Sequence, residues 1–154
     1  MKNIFKSLLF LSLLLATACV AKAQQNPLIP DARLKAVYSE SDLQNMQDFR
    51  SFKIAVLNYY LDNMYYLSET LPAEVELVGD ITTLNKRNSL ETFDENLDVF
   101  AQKTFNPYLY AFSIPYDKSI AYSLGEQGYL VVYSRQEYQN RLEQYLKESK
   151  IKIE

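Results

Sequence analysis

Hydrophobic positions recur at the spacing of an α-helix from Ser41 to about Thr70. Ser41 and Gln44 match a capping box, in which both side chains satisfy free amides of the first turn. Pro72 then stops the predicted helix, because proline has no amide hydrogen and its ring clashes with the preceding turn. Its apolar positions are Phe49, Phe52, Val56, Tyr59, Tyr60, Met64, Tyr66, Leu67 and Leu71.

These side chains cover most of the circumference of the predicted helix, and only a narrow polar stripe remains. A helix of this kind is normally surrounded by other elements, so we expect it to form the centre of the domain. The alternative is that part of its apolar surface docks onto another protein.

Two weaker patterns follow. Ala73 to Gly79 alternates acidic and apolar residues, which predicts a half-exposed strand. A second helix is predicted from Asn88 or Ser89 to the Asn106-Pro107 pair, with apolar residues at helical spacing. They are Leu90, Phe93, Leu97 and Phe100.

Beyond Pro107 the apolar period changes from about 3.6 to 2, which is typical of strands. Three strands are predicted, at Tyr108 to Ile114, Ile120 to Leu124 and Tyr129 to Tyr133, joined by the turns "PYDKS" and "GEQG". A second capping box, Ser134 to Glu137, opens a last helix. The predicted fold is therefore α+β, with a long central helix and shorter helices packed on a small antiparallel sheet. That sheet is a three-stranded meander to which a fourth strand can be added.

The first residues form a secretory signal peptide. Lys2 and Lys6 precede an apolar run from Leu8 to Leu15 that is too short to cross a bilayer, and small residues follow it. Cleavage after Ala23 would make Gln24 the first residue. We therefore divide the chain into a signal peptide at 1–23, a lead-in at 24–40, one globular domain at 41–148 and a frayed tail at 149–154.

Cys19 is the single cysteine of the chain, and it lies within the leader. The stretch "LATAC" resembles the lipobox of bacterial lipoproteins, which predicts acylation of Cys19 and an anchor in the outer membrane as an alternative to cleavage. Ala16 stands where such motifs usually have a larger aliphatic residue. We therefore expect Cys19 to be discarded and the protein to be periplasmic or extracellular, with membrane association only if Cys19 is acylated.

Composition excludes several chemistries. The chain has no histidine, which removes imidazole bases, Ser-His-Asp triads and the commonest zinc ligand. Loss of the leader removes three lysines and takes the net charge from −3 to about −6, so nucleic acid is not an expected partner. No glycine-rich phosphate loop is present. We predict no cofactor, no metal and no catalytic residues.

Two acidic patterns resemble functional sites in part. "DENLD" at Asp94 to Asp98 begins like a calcium loop, but Val99 and Phe105 stand where such a loop needs glycine and glutamate. Glu74 and Glu76 would share one strand face, and a pair at such spacing could act as acid and base in sugar hydrolysis, but a solvated surface is the simpler interpretation.

Tyrosine is the unusual feature, with 13 in the chain. Tyr122, Tyr129 and Tyr133, on the predicted hairpin, are the candidate partner-binding residues, because tyrosine is enriched at protein interfaces. The alternative is that they pack against the helices. We expect a non-catalytic envelope protein that acts on another envelope protein as an accessory or assembly component. A glycan or small-ligand module using a tyrosine-rich sheet face is the second interpretation, and a carboxylate-dependent hydrolase the third.

Overall fold

The computed structural model describes residues 28–87, 93, 100 and 102–151. Their regular elements are three α-helices and four strands, with short 3-10 helices between them. The α-helices are α1 (Glu40–Phe49), α2 (Ser51–Asn63) and α3 (Arg135–Glu148), and the strands are β1 (Tyr65–Ser68), β2 (Glu76–Asp80), β3 (Ile120–Ser123) and β4 (Tyr129–Val132). The 3-10 helices are Ala32–Ala36, Ile81–Thr83, Pro107–Leu109 and Gly125–Gln127.

The prediction of one long central helix is wrong. Its segment forms two helices and a strand, because the backbone of Arg50 leaves the helical region with φ −147° and ψ 50°. The first cap is Ser39 rather than Ser41, since the Ser39 hydroxyl accepts a hydrogen bond from the amide of Asp42 at 3.1 Å. Helix α2 ends at Asn63, well before Pro72, and the chain continues directly into β1.

The α+β class is confirmed, but the antiparallel meander is wrong. The sheet is mixed and four-stranded, in the order β1-β4-β3-β2. Strands β3 and β4 form the predicted antiparallel hairpin, β1 adds to β4 antiparallel, and β2 adds to β3 parallel. The segment predicted as the first strand of the meander instead contains a 3-10 turn at Pro107–Leu109 and a single bridge between Tyr110 and Lys86.

Helix α3 begins as the sequence predicts. The Ser134 hydroxyl caps it by accepting a hydrogen bond from the amide of Glu137 at 3.1 Å. The amides of Arg135 and Gln136 donate to the carbonyl oxygens of Pro115 and Tyr116. Of the predicted second helix, from Asn88 or Ser89 to the Asn106-Pro107 pair, the structure describes only Phe93, Phe100 and residues 102–106. Residues 102–106 are not helical, and Lys103 has a positive φ of 54°, so this end of the predicted helix is not formed.

Two hydrophobic clusters stabilise the fold. The sheet core lies between one face of the sheet and the chain that precedes β3, and its buried members are Met64, Ile81, Leu84, Phe93, Phe105, Ile120, Tyr122, Leu124, Leu130 and Val132. The helical core lies between α1, α2 and the Ala32–Ala36 turn, and its buried members are Leu34, Leu43, Ile54 and Leu61. Since Leu34 is fully buried, the described part of the predicted lead-in packs on the folded body.

An ionic cluster around Arg33 joins the lead-in to the rest of the molecule. Its guanidinium pairs with Asp31 at 3.0 Å and with Asp62 at 2.9 Å, and it donates to the carbonyl oxygen of Phe105. The hydrogen bonds from Arg33 lower the pKa of the Asp31 carboxyl, against the opposing effect of burial. Across the described residues, none of the helices combines the length and the apolar character that a membrane crossing requires.

Candidate functional site

The three candidate tyrosines lie on opposite faces of the sheet. Tyr122 points into the sheet core and is 7 % exposed, so it is a packing residue that a partner cannot reach in this structure. Tyr129 pairs with Ser123, and its side chain points to the opposite face, which we call the outer face. Tyr133 follows β4 on that same face, and both tyrosines are half-buried.

A stack of three side chains extends the outer face beyond β4. The ring of Tyr133 lies 5.1 Å from the ring of Tyr66, which β1 presents to the same face. The guanidinium of Arg141, from α3, lies over the Tyr133 ring, 4.1 Å from its centroid. Such cation–π contacts contribute about 0.5 to 1 kcal/mol at exposed sites. Two strands and one helix therefore converge on this stack.

Glu137 holds Arg141 in that position. Its carboxylate accepts hydrogen bonds from Nε and Nη2 of Arg141 at 3.1 and 3.0 Å, one helical turn apart. The other carboxylate oxygen accepts from the Ser119 hydroxyl at 3.3 Å, and the Ser119 oxygen accepts from the amide of Ser134 at 3.0 Å. The guanidinium is thus oriented by a chain of hydrogen bonds that starts at the helix cap.

The stack forms one wall of an open groove of about 570 Å³. The opposite wall comes from the connection between β1 and β2, which passes β4 and β3 to reach the far edge of the sheet. At the floor of the groove, the outer-face residues Ala121 and Val131 are fully buried. The residues that line the groove are Tyr66, Pro72, Ala73, Glu74, Val75, Asp117, Lys118, Ser119, Tyr133, Ser134, Glu137 and Arg141.

The groove carries charges of both signs. Lys118 pairs with Glu76 at 3.0 Å, and both side chains are more than half exposed. Within the described part of the chain, the carboxylates of Glu74 and Asp117 have no ion-pair partner. Burial raises the pKa of the Tyr133 phenol above its ordinary value of 10.0, so this ring stays protonated and able to donate a hydrogen bond at pH values where an exposed tyrosine begins to ionise.

Glu74 and Glu76, the pair considered for sugar hydrolysis, do not share one strand face. Glu74 lies in the connection before β2, whereas Glu76 begins the strand and is engaged by Lys118. Among the described residues, no three His, Cys, Asp or Glu side chains are grouped so as to hold a metal ion. The "DENLD" stretch and Cys19 lie outside the described residues.

Sequence reasoning missed Tyr66, Ser119 and Arg141 as members of the site. Tyr66 was assigned to the long helix, so its place beside Tyr133 was hidden. Glu137 and Arg141 are four residues apart, a spacing that brings opposite charges together on a helix, and this signal was available.

Comparison with protein-family models, with curated proteins and with solved structures gives no match.

Proposed function

We propose that this is an exported, non-catalytic protein of the bacterial envelope that acts by binding another envelope protein through the outer-face groove. The observation that carries the proposal is the stack of Tyr66, Tyr133 and Arg141 at the groove wall. Tyrosine and arginine are among the residue types that most often dominate the binding energy of protein interfaces.

The stack is already ordered without a partner. Arg141 is held by two hydrogen bonds from its side chain to Glu137 and by the face of Tyr133. A side chain fixed before binding loses less conformational entropy when a complex forms, so more of its contact energy appears as affinity. The groove is also open, which suits an extended or looped segment of a protein partner.

The envelope location rests on the leader. The leader combines a charged start, an apolar run and small residues before Gln24, which supports export. After cleavage the protein would be released into the periplasm or outside the cell. Acylation of Cys19 remains the alternative, and it would place the same groove at the surface of the outer membrane.

The test is chemical cross-linking in intact cells followed by affinity purification of the tagged protein. We expect one envelope protein to be recovered in near-stoichiometric amount with the natural chain and to be lost with Tyr133→Ala combined with Arg141→Ala. Leu67→Ala is the matched control, because Leu67 is 51 % exposed and follows Tyr66 on β1 with its side chain on the other side of the sheet. Recovery that is equal for all three proteins, or absent with the natural chain, would contradict the proposal.

A glycan or small ligand is the second candidate, and the size of the groove favours it. A volume of about 570 Å³ falls within the range of roughly 300 to 1,000 Å³ that small-molecule sites occupy. Its walls combine aromatic rings, carboxylates and hydroxyls. Titration with soluble fragments of the cell-wall glycan, followed by tyrosine fluorescence, distinguishes this candidate: saturable quenching that Tyr66→Ala abolishes would replace the protein partner with a sugar.

A further inference from the structure

A second surface, remote in sequence from the groove, centres on Phe49. This side chain is 80 % exposed at the end of α1, where the chain breaks at Arg50 before α2 begins. Beside it lies a shallow depression of about 390 Å³ lined by Asp42, Asn45, Met46, Phe49, Arg50 and Lys53. A large aromatic side chain therefore stands next to a hollow of a size to receive one.

The lining residues form a stripe along α1. Asn45 and Met46 follow Asp42 by three and four residues, and Phe49 follows them by four and three, which places all four on one side of the helix. Asp42 lies near the start of the helix and Phe49 at its end, roughly 10 Å apart at the rise of an α-helix. Met46 lies between them and is half-buried.

The charges along this stripe are arranged by sign. Asp42 lies at one end and accepts a hydrogen bond from the Ser39 hydroxyl through one of its carboxylate oxygens. Arg50 and Lys53 lie at the other end, and neither has an acidic partner in the part of the chain that the structure describes. The surface thus has an acidic end, a middle without charge that is formed by Asn45 and Met46, and a basic end that carries Phe49.

We propose that a second copy of this chain binds here, with the two α1 helices packed antiparallel about a two-fold axis near Met46. In this arrangement Phe49 of each copy enters the depression of the other, and Arg50 and Lys53 of each face Asp42 of the other. A two-fold interface requires a surface that is complementary to itself. The polarity of the stripe meets this requirement, because reversing one helix brings its basic end to the acidic end of the other.

The same charge balance argues against a lipid surface as the occupant. A membrane with anionic headgroups attracts clusters of basic residues. Here Asp42 lines the same depression as Arg50 and Lys53, and Asp48 lies on the same helix, exposed to solvent. The proposed dimer uses no residue of the outer-face groove, so the two proposals can be tested independently.

Sedimentation equilibrium of the purified protein over a wide concentration range tests the pairing. We expect a reversible monomer–dimer equilibrium, which Phe49→Ser weakens by at least about 30-fold, the change expected when an interface loses a dominant residue. Leu67→Ser is the control for loss of an exposed apolar side chain elsewhere and should leave the dissociation constant unchanged. A protein that is monomeric at every concentration, or a dimer unaffected by Phe49→Ser, would overturn the proposal.

A charge exchange separates this arrangement from other ways of pairing. Asp42→Arg and Arg50→Asp should each weaken the dimer, and the double variant should regain a substantial part of the lost affinity because the exchanged charges again face each other. Thermal melting of each variant checks that the fold is kept; aspartate at position 50 is itself a favourable residue for capping α2. Absence of recovery in a folded double variant would show that the helices do not pair antiparallel.

Discussion

The two faces of the sheet use the same residue type for different purposes. On the inner face, Tyr122 lies with Ile120, Leu130 and Val132 in the sheet core. On the outer face, Tyr66 and Tyr133 keep part of their rings in solvent. The ring of Tyr133 also contacts the guanidinium of Arg141 from α3. The strand register alone separates these roles, since consecutive side chains of a strand point to opposite faces.

The faces differ in how their contacts stabilise the protein. The inner face gains from the removal of apolar surface from water, which is worth about 25 cal/mol per Å². The stack on the outer face relies on a partly exposed ion pair and a cation–π contact, each of which contributes about 1 kcal/mol or less in such surroundings. Changes on the inner face should therefore lower the stability of the fold, whereas changes in the stack should lower it little and should act on the proposed binding.

Tyr122→Ala should have the largest effect. Truncation of a buried aromatic ring leaves a cavity, and we expect the free energy of unfolding to fall by about 3 to 5 kcal/mol in urea titrations. Tyr122→Phe is the control, since it keeps the ring and should cost less than about 1 kcal/mol. A small loss for Tyr122→Ala would mean that this tyrosine does not support the core.

Gly128→Ala should have the second largest effect on stability. Gly128 lies where the start of β4 meets the end of β1, so strain there acts on the pairing of the two strands. Gly128 has φ 99°, and a Cβ there would meet the carbonyl oxygen of Ser68. We expect a loss of about 3 kcal/mol in the free energy of unfolding. Gly125→Ala is the matched comparison, since its φ is 64° and a Cβ there meets no atom within 4 Å, so backbone strain of about 1 kcal/mol is the whole cost. Equal losses for the two variants would show that the contact with Ser68 is unimportant.

Tyr133→Ala should lower the free energy of unfolding by only about 1 to 2 kcal/mol, the sum expected for one aromatic pair and one cation–π contact. Tyr133→Phe should be close to the natural protein, because the ring carries both contacts. The measurement is again urea unfolding, alongside Tyr122→Ala. If the two alanine variants lost equal stability, Tyr133 would be a packing residue like Tyr122, and the proposed difference between the two faces would fail.

The effect of Tyr65 on stability should depend on pH only in alkaline solution. Burial in the sheet core raises the pKa of its phenol to about 12 from an ordinary value of 10.0, with the carboxylate of Asp62 adding to the effect. The folded state therefore holds this proton more tightly than the unfolded state. The resulting stability is present in full below pH about 10 and is lost as the pH rises towards 12. Tyr65→Phe should make unfolding less dependent on pH in that window, and an unchanged dependence would contradict the assignment.

The sequence predicted the elements whose signals are local. The β3–β4 hairpin follows from period-two alternation around "GEQG", and α3 follows from the capping box at Ser134. The strand before Asp80 was also predicted, although it begins only at Glu76. On the outer face, Tyr129 and Tyr133 were selected from the sequence as partner-binding residues, and that role stays a prediction.

The predictions that were wrong concern elements that depend on contacts between distant parts of the chain. Tyr65 to Ser68 continues the apolar pattern of α2, and only pairing with β4 makes it a strand. The parallel pairing of β2 with β3 has no local signature either. Tyr122 was misplaced because alternation shows which residues share a face but does not show which face the helices cover.

Strand β4 pairs with two strands that lie at very different distances from it along the chain. Strand β3 comes immediately before it, and β1 lies far upstream. Joining β3 closes a short loop, whereas joining β1 closes a very long one, and long closures slow folding because their entropy is lost before contacts compensate for it. We expect the hairpin to be formed in the folding transition state and β1 to dock afterwards. Leu130→Ala should then slow folding, and Leu67→Ala should mainly speed unfolding, in stopped-flow kinetics.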